Sequence, residues 1–483
     1  MNTVSPYYST KHFSILSGIF LVLLAIAIYT SFYWIIAAPF FLLFFYFGWQ
    51  QWSFIFLLLI FLLPWSIEYN FTPTLGTDLP DEPLMLVTSV LFLANWFYKP
   101  SILSASVWRH PLIGLLLLHF AWIIVTVVFS SDPLISLKFL LAKSWYLVTF
   151  VFAAVVLFRE KKWISLAAVL FLIAMVLATI LSLYRHYKLG FSFANINNAV
   201  TPFFRNHVNY SAMLVCTVPI LVAAWQLNKK WRLILFAMSM IVLVALFFSY
   251  ARGAWLALLI GVASYVLISI RKLFFVFIFS MLALASSIFW LKNNDRYLEY
   301  SHNFRTTIFH KDFGQHWAAT YQLKDVSTAE RFNRWIAGVR MIGDNWVLGY
   351  GPNTFYYNYK PYAVPVFKTW VSKNEEHSTV HNYFLLTAIE QGLPGLLIFL
   401  FLVGAMIFYA ERIYHRVRDK FYKTTAMACG VMLMMILTVN FLSDLIETDK
   451  VGSLFFLCLA ILVAVDVNSK RENNKFQDDE SLL

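Results

Sequence analysis

HSTVHNYFLLTAIEQGLPG, His377 to Gly395, decides how this chain is built. Polar residues stop at His381-Asn382, and an apolar, helix-like run begins. Gly392-Leu393-Pro394-Gly395 breaks that run before a second apolar stretch, Leu396 to Ala410, carries on. A membrane-crossing helix needs about 20 mostly apolar residues, and Pro394 to Ala410 comes close to that length alone. His381 to Gln391 therefore reads as a short helix at the membrane surface, hinged at Gly392-Pro394-Gly395. The histidine then stands at the depth where the bilayer meets water.

The composition agrees. Of 483 residues, 60% are hydrophobic, 19% aromatic and 13% charged, against roughly a quarter charged in soluble domains. So much apolar surface cannot be hidden in a water-soluble core, and the expected fold is an all-α integral membrane protein. The formal charge of +12 reports cytoplasmic anchors rather than a nucleic-acid partner. Cys216, Cys429 and Cys458 lie inside apolar runs. Their odd number and surroundings argue against a disulfide framework or a thiolate metal site.

Apolar stretches predict spans at Phe13–Tyr29, Phe32–Phe47, Trp52–Ile67, Leu84–Phe97, Leu112–Phe129, Ile135–Phe158 and Trp163–Tyr184. Further spans are predicted at Tyr210–Leu227, Leu233–Tyr250, Ala254–Ile270, Leu273–Leu291, Pro394–Ala410, Thr424–Phe441 and Val451–Val467. The total is about 12–14 transmembrane helices. Ala25-Ile26-Ala27 superficially resembles a signal cleavage site. The lead before it carries only Lys11 and His12, so the stretch is read as the first span.

With the N-terminus inside, Lys99, Arg109, Arg159, Lys161, Lys162, Lys229, Lys230, Arg232, Arg271 and Lys272 all fall in cytoplasmic loops. Arg412, Arg416, Arg418, Lys420 and Lys423 do too, whereas the short outer loops after Tyr29, Ile67 and Phe129 hold no Lys or Arg. Basic residues of short loops stay in the cytoplasm, so both termini are expected there, in a bacterial inner membrane. Residues 1–291 form an N-terminal bundle, and 292–393 a large, partly helical periplasmic loop. C-terminal spans occupy 394–467, and 468–483 is a cytoplasmic tail whose polar composition predicts disorder.

The large loop is rich in Tyr, Trp and Phe, and Ser327-Thr328-Ala329-Glu330 has capping-box spacing. A helix should follow, its apolar stripe made by Phe332, Trp335, Ile336 and Val339. Arg331 and Arg334 lie near each other on its surface, and Gly343-Asp344-Asn345 ends it. Other polar residues collect at predicted outer helix ends: Arg205-Asn206-His207, Ser249-Tyr250-Ala251-Arg252-Gly253, and Asn440, Ser443 and Asp444. Lys138 and Lys143 interrupt the span from Ile135. Such charges should face the bundle interior or water.

A site that holds a diphosphate and stabilises it as a leaving group needs cations. The outer face offers Arg, His and Lys, and no Asp-x-Asp pair to hold a divalent metal. Each also has a plainer reading. Arg331 and Arg334 suit a solvated helix face, Arg252 a lipid anchor, and His381 a helix cap. His377 and His381, with Glu375-Glu376, lack a third placed zinc ligand and the HExxH arrangement, so neither metal nor cofactor is expected.

Arg331 with Trp335, Leu348-Gly349-Tyr350-Gly351-Pro352-Asn353-Thr354-Phe355, His381-Asn382 and Glu390-Gln391-Gly392-Leu393-Pro394-Gly395 together resemble the O-antigen ligase and polymerase family. Ser249-Tyr250-Ala251-Arg252-Gly253-Ala254-Trp255 is similar to that family's earlier Ser-x-x-Arg-Gly-Ala motif. The resemblance covers roughly Ser249 to Phe401. The family commonly has about twelve spans, fewer than the fourteen stretches found here. The resemblance implies transfer of a glycan from undecaprenyl diphosphate to an acceptor hydroxyl at the outer membrane face. It also implies that Arg252, Arg331 and His381 are the catalytic residues.

Around them, Arg205, His207, Arg334, Lys143, Asn382 and Asp444 are candidate substrate-binding residues. The acceptor is expected to be a lipid A-core sugar (a ligase) ahead of a growing glycan (a polymerase). A lipid-linked sugar transporter is the competing class, but transporters bind at the midplane between repeats. Here the charges lie at outer ends, Lys143 excepted, and no repeat is visible. A non-catalytic assembly protein would leave the arginine-histidine set without a task.

Overall fold

A computed structural model describes residues 51–72, 75–294, 326–364 and 379–481, with isolated positions 18, 22 and 296. Apart from positions 18 and 22, the first two predicted spans lie outside the described residues, as do Glu375, Glu376 and His377. The other twelve predicted spans all correspond to helices. These are α1 (Trp52–Leu62), α2 (Asp81–Tyr98), α3 (Pro111–Val128), α4 (Pro133–Leu157), α5 (Lys161–Lys188) and α6 (His207–Leu227). They continue as α7 (Arg232–Phe248), α8 (Arg252–Ser269) and α9 (Leu273–Lys292). After α10 (Val326–Asp344) come α11 (Tyr383–Arg416), α12 (Lys420–Phe441) and α13 (Asp449–Ser481). Among the described residues, nine of these are long and apolar enough to cross a membrane. The only sheet described is a hairpin, β1 (Ile67–Thr72) paired antiparallel with β2 (Leu75–Leu79).

The bundle is built around its last two helices. The apolar part of α13 is 94% buried and that of α12 is 78% buried, against 11% for α9. Helices α6, α8 and α11 pack on α12, so α9, which meets the bundle chiefly through α11, is left to lipid. Small residues allow the close approaches. A Cβ on Gly261 of α8 would sit 2.0 Å from the Met435 Cε of α12. Apolar periodicity alone says little here, because a helix surrounded by other helices is hydrophobic all round.

Polar residues pin one end of the bundle. Asp466, fully buried, meets Arg416 at 2.8 Å, Lys470 at 2.7 Å and His110 at 3.4 Å, and Lys161 reaches Asp419 at 3.0 Å. Asn468 donates to the Arg159 carbonyl. The loops carrying Arg109, Arg159 to Lys161 and Arg416 to Asp419 therefore meet the end of α13 at one end of the bundle.

One expectation needs correction. The tail is helical: α13 runs unbroken to Ser481. Extending a helix whose first turns are already fixed adds one bond per residue without a new nucleus, which composition does not register. The helix of the large loop covers Val326–Asp344, and the side chains of Ser327 and Thr328, expected to cap it, lie outside the described residues. Its end at Asp344 falls where Gly343-Asp344-Asn345 was expected to stop it.

Candidate functional site

The expected hinge is present. Within α11, Gly392 has φ 71° and ψ 176°, a region essentially open to glycine alone. A Cβ there would stand 2.0 Å from the Val347 carbonyl oxygen. The Leu393 N–H donates to Trp346 O at 2.8 Å, and the Trp122 indole donates to Gln391 O at 2.8 Å. Glu390 turns its carboxylate onto the 348–355 link and accepts the N–H groups of Asn353 (2.8 Å) and Phe355 (3.1 Å). Tyr350 and Gly351 donate to the carbonyls of Ile389 and Glu390. The same link is held to the α3–α4 turn, where Ser131 N–H donates to Tyr350 O and Ser136 Oγ to Pro352 O. Most of the Gly-rich and Glu-x-Gly motifs therefore build a brace that fixes the first turns of α11.

His381 stands at the end of that brace. Its backbone is left-handed, φ 52°, a conformation uncommon outside glycine that histidine adopts more readily than most side chains. Asn382 follows as the N-cap of α11, its side chain accepting the Leu385 N–H at 3.0 Å. The Tyr383 N–H donates to Ser443 O, which draws the turn after α12 against the histidine. His381 Nδ1 lies 3.9 Å from Asp444 Oδ1.

Helix α10 closes the other side. The indole of Trp335 donates to Val380 O at 3.1 Å and packs edge-on against Phe441. Arg334 donates to Thr379 O at 3.0 Å and meets Glu330 at 3.5 Å. Gly338 admits Ile389 and Leu385 of α11.

The electrostatics follow from this convergence. The low-dielectric protein around the His381 ring, then the charges of Arg334, Arg331 and Arg205, hold the imidazole down to about 3. It is neutral at physiological pH, with part of its side chain still accessible. Burial pushes the Asp444 carboxyl above its ordinary range, opposed by a Thr379 hydrogen bond and by Arg205. An imidazole whose Nδ1 faces a carboxylate presents Nε2 as its proton acceptor.

The structure thus brings together His381, Asp444, Arg331, Arg334 and Arg205. Arg252 opens α8 beside the same turn, since its neighbour Gly253 abuts Leu442. Tyr250, two residues before it, is left-handed at φ 56°. The other three candidates have different surroundings. His207 Nδ1 meets Asn197 Oδ1 at 2.9 Å, at the start of α6. Lys143 is buried, paired with Glu447 at 2.9 Å, and surrounded by the rings of Phe139, Tyr146 and Phe456. Asn382 is engaged by its own helix. Glu447, unremarked in the sequence, is Lys143's counter-charge. Its place three residues after Asp444, in a turn between two spans, was the signal available.

A family model described as O-antigen ligase matches residues 237–400, a range that contains Arg252, Arg331, Arg334, His381 and the whole brace and stops short of Asp444. No curated protein matches the chain. Residues 237–400 are thus similar to the O-antigen ligase family, which is glycosyltransferase-like, and they lie in a chain whose nine long apolar helices among the described residues make it a multi-pass membrane protein.

Proposed function

We propose that this protein transfers an O-antigen-like glycan from undecaprenyl diphosphate to a sugar hydroxyl of lipid A-core at the periplasmic face, releasing undecaprenyl diphosphate. One observation carries the reading: three arginine charges converge on a neutral imidazole backed by a carboxylate. The acceptor hydroxyl attacks the anomeric carbon and gives its proton to His381 Nε2. The bond from that carbon to the phosphate oxygen breaks, and the diphosphate leaves with its electron pair. Arg331, Arg334, Arg205 and Arg252 hold the leaving diphosphate, as planar forks suited to phosphate oxygens. Asp444 orients the imidazole. The charge that a divalent metal would bring to the leaving group is supplied by guanidiniums, so the chemistry is metal-independent.

The test separates the roles. His381→Ala should still bind the lipid-linked donor and transfer it at least about a hundredfold more slowly, the lower end of what a general base contributes. His381→Gln, which keeps a hydrogen-bonding group and cannot take the proton, should be as slow. Near wild-type transfer by the Gln variant would reduce His381 to a positioning residue. Surface-glycan analysis of a deletion strain separates ligase from polymerase: free lipid-linked polymer supports the former, single repeat units on the core the latter.

A further inference from the structure

Away from His381, the first turn of α13 takes part in a second cluster. Asp449 opens α13, Asp81 opens α2, and Asp78 lies on β2. One carboxylate oxygen from each stands within 4.8 Å of the others. Asp81 is fully buried. Its Oδ1 accepts the Glu82 N–H at 3.0 Å, while its Oδ2 has no hydrogen-bond partner. A buried carboxylate oxygen with nothing bound to it is costly, and two more carboxylates beside it make it costlier.

The adjacent cation relieves it only in part. Lys450 is also buried, and an ammonium has three hydrogens to donate. Its Nζ lies 3.4 Å from Pro64 O, 3.0 Å from Ser66 O and 2.5 Å from Phe203 O, with the Phe204 ring beneath it. Lys450 supplies one positive charge and no hydrogen bond to Asp81 Oδ2. Glu82, the fourth acid nearby, accepts from the Thr77 hydroxyl. Three carboxylates against one ammonium leave two negative charges uncompensated if all are ionised.

We propose that Asp78, Asp81 and Asp449 form a binding site for a divalent cation, calcium rather than magnesium. Carboxylate oxygens are hard donors. Calcium accepts six to eight of them at about 2.3–2.6 Å in a flexible sphere, so ligands up to about 5 Å apart can share it, with water completing the shell. Magnesium demands closer, near-octahedral ligands and dehydrates reluctantly. The bound ion ties the hairpin and α2 to α13 and takes no part in glycan transfer.

The experiment uses full-length protein in detergent, stripped with EDTA and then titrated with calcium chloride or magnesium chloride. Radioactive calcium should bind saturably at one ion per chain. Calcium at saturation should raise the melting temperature by about 3 °C or more, and magnesium should do less. Asp81→Asn and Asp449→Asn should abolish both effects, whereas Glu160→Gln, an exposed acid outside the cluster, should keep them. Should Asp81→Asn fail to fold, Asp78→Asn and Asp449→Asn at half-buried positions decide, and each should weaken calcium binding at least about tenfold. Absence of saturable calcium binding, or binding unchanged in all three Asn variants, overturns the proposal. So does a wild-type melting temperature that ignores both cations yet rises on acidification, which would assign the cluster to carboxylates sharing protons.

Discussion

If His381 is the base, the pH dependence of transfer should carry the signature of the arginines around it. An unperturbed imidazole titrates near 6.5, so at about pH 5 only about 3% of it would be neutral and kcat/KM would fall about thirtyfold from its plateau. The ring here is held down to about 3, first by the protein packed around it and then by Arg334, Arg331 and Arg205. The sign follows directly: a lowered value keeps the proton-accepting form through the whole range from about pH 8 to about pH 5. The wild-type kcat/KM should therefore change by less than about twofold across it. That quantity reports the free enzyme, and a diphosphate diester does not titrate in the window. Arg331→Gln removes one of the repelling charges, so its acid limb should move up toward the ordinary imidazole range. Once donor is bound its negative charges raise the imidazole again, so kcat should show an acid limb at higher pH than kcat/KM. The assay is initial-rate transfer from a purified lipid-linked donor in detergent at several pH values. A wild-type kcat/KM limb near 6.5 would refute the argument. So would an acid limb that His381→Gln leaves in place, because it would belong to another group.

Three further outcomes are expected. Arg331→Lys and Arg252→Lys should each lose transfer at least about tenfold while inserting normally, because a point charge cannot replace a bidentate fork. Near-normal transfer by both in a detergent assay would make them lipid anchors. Excess EDTA, applied well below the melting temperature, should leave most transfer activity intact. Complete loss restored by magnesium or manganese would contradict a leaving group held by arginine. Gly392→Ala should destabilise the protein by about 2–4 kcal/mol, because its Cβ would meet the Val347 carbonyl at 2.0 Å. A melting temperature and transfer rate equal to wild type would show that the α11 bend does not depend on glycine.

Much of the architecture was legible because a membrane span is a local quantity. Burial of about 20 apolar residues is decided by those residues alone, and all twelve predicted spans beyond residue 50 correspond to helices, although α11 begins earlier and α13 ends later than expected. The hinge was readable for the same reason: Gly392-Leu393-Pro394-Gly395 breaks a helix wherever it occurs, and the φ of 71° at Gly392 marks the place. His381, Arg331 and Arg334 were visible as polar groups gathered on the outer face around the hinge. Whether a given charge is spent on structure or left for a ligand was not local. Lys143 looked like a cation for substrate until Glu447, from the turn before α13, met it at 2.9 Å. Asp444 was expected to bind substrate, but docking of α11 and α12 put its carboxylate 3.9 Å from His381. The outer face lacked the Asp-x-Asp spacing of a metal site, yet folding set Asp449 beside Asp78 and Asp81. Spacing along the chain registers only neighbours in sequence. The pairings that set each charge's task join residues tens to hundreds of positions apart, and packing of the bundle alone decides them.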